Sequence, residues 1–139
     1  MKNELAFTTN FLFENVTFDK EAESWRFYFS DSVYFSAYGF WRLLTNNKIT
    51  WVSFDNEQQF GLPKPIDLVE ELKQVLAGKR LTKIEVLENT FDLTLTLTDG
   101  LKIDIYIASS GYESYDFSIN NKRYIGLGSG DIAIFENHL

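Results

Sequence analysis

Acid and base chemistry in this chain would have to come from carboxylates. Asp55, Glu57, Asp92, Asp99, Asp104, Glu113 and Asp116 are the candidates, and two of them facing each other across a cleft would suffice for glycoside hydrolysis. No spacing singles out a pair. Histidine occurs once, at His138. A Ser-His-Asp arrangement would need that side chain folded back and oriented by a carboxylate, and neither Ser109 nor Ser110 sits in a G-x-S-x-G elbow. A frayed terminal histidine is the simpler reading. One histidine without any cysteine falls short of a tetrahedral zinc site, and the EF-hand calcium pattern is absent. Gly126-x-Gly128-x-Gly130 departs from the dinucleotide fingerprint and precedes a strand-like run, which points to a bulge or tight corner. No catalytic residue, metal or cofactor is therefore expected. The chain reads as non-enzymatic, with a carboxylate-based hydrolase as the enzymatic alternative.

Aromatic residues offer a different chemistry. They make up 17% of the chain, with three tryptophans and seven tyrosines. Tyr34, Tyr38, Trp41, Trp51, Tyr112 and Tyr115 are candidates for a binding face, because such rings anchor interfaces with little entropy to lose. In a small β-rich domain they are equally candidates for the core. The set expected to meet a partner is Tyr38, Trp41, Tyr112, Glu113 and Tyr115.

The charge balance indicates what kind of partner. Thirteen basic against twenty acidic residues leave a formal charge of -7, spread along both halves. Such a surface repels phosphate backbones and attracts basic proteins, so a protein partner is expected and a nucleic acid is not. Moderate acidity also serves simply to keep a domain soluble. The absence of cysteine means that nothing in the fold depends on an oxidising compartment. The first residues lack the unbroken apolar run of a signal peptide, and no stretch approaches a membrane span. A cytoplasmic protein without a membrane partner is expected.

The elements that would position these residues are mostly strands. At 139 residues the chain is most simply one domain, residues 1–139, large enough to bury a core. Leu5 and Phe7, Phe11 and Phe13, and Val16 and Phe18 suggest short strands, with turns at Asn10 and Asn15. Trp25 to Phe29 alternates cleanly, Asp31-Ser32 makes a turn, and Val33 to Tyr38 follows. Gly39 to Leu44 suits helix or strand locally, and strand is preferred. Asn46-Asn47-Lys48 is turn chemistry before Ile49 to Phe54. One helix is expected over about 65–78, with Pro65 at its first position, Asp67 in its first turn, an apolar stripe through Leu68, Leu72, Val75 and Leu76, and Gly78 as its stop. Two alternating runs, Phe91 to Leu97 and Leu101 to Ile107, are joined by Asp99-Gly100, a strong hairpin signal. Tyr115 to Ile119, Asn120-Asn121-Lys122, Arg123 to Ile125 and Ile132 to Phe135 complete the pattern.

Placed side by side, residues of about 25–54 and 91–135 correspond strand for strand and turn for turn. The expected fold is α+β: a mostly antiparallel sheet in two pseudo-repeated meanders with the helix between them. Ser109-Ser110-Gly111-Tyr112-Glu113-Ser114-Tyr115 then becomes the elaborated middle turn of the second meander, with Gly111 permitting the bend and Glu113 holding it through backbone hydrogen bonds.

With that segment, and Gly126-x-Gly128-x-Gly130 downstream, the chain resembles small uncharacterised bacterial domains carrying an S-S-G-Y-E-S-W-like motif, some of them similar to immunity proteins of toxin systems. Tyr115 stands where the motif has tryptophan. The resemblance covers about residues 40–130 and brings no functional residue with it. It implies a binding protein that blocks a toxin, here a basic one drawn to an acidic surface. A self-associating structural domain, acting as a homodimer, is the alternative.

Overall fold

In the computed structural model, which describes residues 5–136, alternation of apolar and polar side chains places eleven strands in one sheet. In chain order these are β1 (Ala6–Asp19), β2 (Ser24–Phe29), β3 (Tyr34–Ala37), β4 (Trp41–Thr45), β5 (Lys48–Val52), β6 (Arg80–Val86), β7 (Leu93–Leu97), β8 (Leu101–Ile105), β9 (Tyr115–Ile119), β10 (Lys122–Leu127) and β11 (Asp131–Glu136). Their order across the sheet is β11-β10-β9-β3-β2-β1-β6-β7-β8-β4-β5, and every described pairing is antiparallel.

Strand β1 is the pivot. Where the sequence suggested short strands with turns at Asn10 and Asn15, the chain runs on as one strand of 14 residues. Its register slips between Thr8 and Phe11 against β6 and between Phe13 and Asn15 against β2. Such bulges bend a strand without ending it, and they account for the broken period that looked like turns. The two arms that meet at β1 face each other. Trp41 of β4 sets its ring 5.2 Å from Trp25 and 5.4 Å from Phe27 of β2, and Phe7 of β1 meets Tyr124 of β10 at 5.6 Å. One hydrophobic cluster fills the space between them.

Four hairpins turn on positive-φ residue pairs that begin with Asp or Asn, Asp31-Ser32, Asn46-Asn47, Asp99-Gly100 and Asn120-Asn121, and a fifth, β10 to β11, turns on Ser129-Gly130. This backbone twist matches that of the flanking strands, and short Asx residues and glycine tolerate it best. Within Gly39 to Leu44, where local propensity suited either state and strand was preferred on the correspondence between the halves, the chain enters β4 at Trp41 and forms no helix.

The helix α1 (Leu68–Leu76) is shorter than its predicted span. Asp67 is not inside its first turn but caps it, accepting a hydrogen bond from the Glu70 amide at 3.3 Å, so Pro65 precedes the helix. Leu68, Leu72 and Leu76 are fully buried in the core, and Gly78 follows the last turn at φ 77°. Among the described residues no helix is long and apolar enough to cross a membrane.

Candidate functional site

The chain passes from one arm to the other between β3 and β4, and again between β8 and β9. A cleft of about 420 Å³ opens beside these crossings. Its floor is set by strand pairing. Phe18 and Trp25 are register partners on β1 and β2, with rings 4.5 Å apart, and Trp25 is buried while Phe18 is half-buried. Tyr38, Gly39 and Phe40 form one wall from the first crossing, and Ala108 closes it from the second.

The adjoining wall is the single turn of 3-10 helix that follows β5, Ser53–Asp55. Asp55 accepts the Val52 amide at 2.9 Å and Ser53 Oγ accepts the Trp41 amide at 3.2 Å, so this turn is tied to two strands. Ser53 keeps the inward face of Trp51 and is buried, while Phe54 keeps the outward face of Val52 and is 71% exposed. One side of the Phe54 ring leans on Phe40, 5.1 Å away, and Phe40 in turn packs on Tyr106 at 5.6 Å.

Carboxylates stand at the mouth. Glu23 and Glu57 both line it from exposed positions, and Lys20 joins them through a 3.8 Å ion pair with Glu57. At such exposure a pair of this kind contributes little. Both glutamates hold left-handed backbones, with φ 52° at Glu23 and 67° at Glu57. Conformations of this kind cost a non-glycine residue free energy.

Behind the cleft lies a buried polar group. Asp116 on β9 has a side chain only 8% exposed and accepts from the Tyr38 hydroxyl at 3.1 Å and from Arg123 at 2.8 Å. Burial, followed by the negative charge of Asp116, pushes the Tyr38 phenol pKa above its ordinary value. The hydrogen bond to Asp116 likewise raises the pKa of Arg123. Tyr38 is thereby held neutral and fixed in orientation on the cleft wall.

The residues expected to meet a partner divide. Tyr38 lines the cleft and is partly exposed; Tyr112 is 81% exposed at the tip of its loop, and Glu113 is exposed beside it. Trp41 and Tyr115 are fully buried and present no surface to a partner: Trp41 is clamped between Trp25 and Phe27, and Tyr115 donates its hydroxyl to the Phe91 carbonyl at 2.9 Å. Of the other rings considered, Trp51 is half-buried against the core, and Tyr34 lies under the Arg26 guanidinium at 4.6 Å.

The Ser109 to Tyr115 segment is a turn held differently from expectation. Ser109 Oγ accepts the amides of Gly111 and Tyr112, and Ser114 Oγ accepts that of Ala108. These serines do the work assigned to Glu113. Gly111 has no positive φ; the glycines that matter lie opposite, where a Cβ on Gly126 would enter the Tyr115 ring and one on Gly128 would meet the Ser110 backbone at 2.6 Å.

Among the described residues no group of three or more acidic or histidine side chains converges to hold a metal ion. Of the carboxylates singled out in the sequence only Glu57 reaches the cleft, and His138 lies outside the described residues. Phe40, Phe54 and Glu23 were missed by the sequence reading. No family model, curated protein or solved structure matches this chain.

Proposed function

We propose that this chain is a non-enzymatic protein-binding domain, an immunity-type inhibitor that masks a basic toxin in the cytoplasm. The observation that carries the reading is the cleft between the arms, where an exposed aromatic wall at Phe54 and Tyr38 meets the carboxylates Glu23 and Glu57. Exposed rings provide anchors, and an acidic surface speeds the approach of a cationic partner. The overall charge of -7 acts in the same sense.

The test is to mix the protein with the product of the gene beside its own and follow association as salt rises. Association should slow steeply between low and physiological ionic strength, and Phe54→Ala should speed dissociation at least tenfold. Association indifferent to salt, or a Phe54→Ala variant that binds as the wild type does, would overturn the reading.

Self-association is a second reading, favoured by one observation. Strand β11 is a sheet edge, and Ile134 and Phe135 on it are 46% and 53% exposed. Edges of this kind invite pairing with another chain. Sedimentation should then show a dimer that Phe135→Lys dissociates; a monomer at every concentration rules it out.

The fold reading extends in the same way. We infer that the halves of about 25–54 and 91–135 arose by internal duplication. In support, hairpins β2-β3 and β4-β5 are answered in order by β7-β8 and β9-β10, and the second hairpin of each half pairs with the first hairpin of the other, β4 on β8 and β9 on β3.

A further inference from the structure

Resting on the protein-binding reading, we propose that the cleft receives an arginine side chain of the partner, its guanidinium over the Phe54 and Phe40 rings and its charge met by Glu57 and Glu23. Three observations converge on this occupant.

The first is the chemistry of the walls. Phe18, Trp25, Tyr38, Phe40 and Phe54 contribute rings from four separate segments. Aromatic faces attract cations, and a planar guanidinium stacks on them as a rounded ammonium does not. The protein already uses this contact twice on its own surface, with Arg26 over Tyr34 at 4.6 Å and Arg42 over Tyr106 at 5.2 Å. Phe40 packs on that same Tyr106 ring, so the cleft continues an established stack of rings and guanidinium.

The second is charge. Two glutamates and one lysine line the cleft, so its own charge is negative and suits a cation. Lys20 holds Glu57 only through an exposed contact of 3.8 Å. An incoming guanidinium can present two N–H groups to the same carboxylate, which a point-like ammonium cannot, and so it displaces Lys20 readily.

The third is size and preorganisation. A volume of about 420 Å³ falls in the range of ligand clefts, roughly 300–1,000 Å³, and takes one long side chain together with the backbone beside it. Tyr38 is fixed from behind by Asp116 and the Phe54 turn is fixed by Asp55 and Ser53. The rings need little ordering when a ligand arrives.

The experiment titrates the full chain with N-acetyl-arginine amide, its lysine counterpart and its neutral citrulline isostere, following amide shifts by NMR. The arginine probe should give saturable shifts at Gly39, Phe54, Glu57 and the Trp25 indole, at least tenfold tighter than citrulline and tighter than lysine. Phe54→Ala and Glu57→Gln should each weaken it about tenfold. Equal response to citrulline, shifts away from the cleft, or wild-type binding by both variants would overturn the proposal. The two readings fail separately. A partner protein that needs Phe54 while the arginine probe is ignored sinks only the arginine inference, and a probe that binds in the cleft while no basic protein does sinks only the inhibitor reading.

Discussion

Replacing Glu57 by glycine should separate the site from the fold that supports it. Glu57 has φ 67°, a backbone that costs an L-residue roughly 1–2 kcal/mol and glycine nothing. Against that gain stands the greater freedom of glycine in the unfolded chain, about 0.4–1 kcal/mol. The ion pair to Lys20 spans 3.8 Å between side chains 81% and 59% exposed, the bottom of the range for surface pairs. The amide of Glu57, which donates to the Ile66 carbonyl at 2.8 Å, is untouched by the change. The net effect is between zero and roughly 1.5 kcal/mol in favour of the folded state. For a chain of this size that is a rise in Tm of up to about 5 °C. Glu57→Ala supplies the control, since it removes the carboxylate and keeps the strained backbone. The assay is thermal melting of the three proteins side by side with the arginine titration. Glycine should melt at or above the wild type and above alanine, while both variants lose about tenfold in arginine affinity. A glycine variant melting below alanine refutes the strain argument, and one that binds arginine like the wild type removes Glu57 from the site.

Two further outcomes follow from the packing around Tyr115. Gly126→Ala drives a methyl group into the Tyr115 ring and should cost about 1–3 kcal/mol in urea unfolding; the cost should shrink in a Tyr115→Leu background, and an unchanged cost would place the strain elsewhere. Burial, aided by the charge of Asp92, raises the Tyr115 phenol pKa above its ordinary value, so the unfolded chain gives up this proton first. The stabilisation is therefore complete below about pH 10 and is lost as pH rises toward the folded-state value. Tyr115→Phe, although weaker near neutrality for want of the bond to Phe91, should lose less stability than the wild type between pH 9 and 11, and parallel alkaline losses would contradict the assignment.

How much of this was legible depends on whether a feature is fixed locally. The four hairpin turns that begin with Asp or Asn were readable because Asp-Ser, Asn-Asn and Asp-Gly tolerate positive φ and the flanking runs alternate. The apolar stripe of α1 was readable from its period, but its start was misplaced because Asp67 can serve equally in a first turn or as the cap before it. Strand β1 was unreadable as one element, since each of its bulges shifts the alternation on which recognition of a strand depends.

The cleft lies beyond local reading for a deeper reason. Its walls come from the β1-β2 pair, the two crossings between arms and the turn after β5, and only the order of strands in the sheet brings these together. The same information decides the fate of each aromatic ring. Trp41 and Phe54 are both large rings in strand-like stretches, yet one is fully buried and the other largely exposed. What separates them is the face each takes: Trp41 lies on the core side of β4, whereas Phe54 follows the parity of Val52, the register partner of partly exposed Arg42, and the 3-10 turn at Ser53–Asp55 ends the strand there. The hydrogen bond that helps set this turn, from the Val52 amide to Asp55, is local and so was open to inspection. An aspartate three residues after a strand's last amide is therefore the signal that could have ended β5 at Val52, and with it marked where one wall of the site begins.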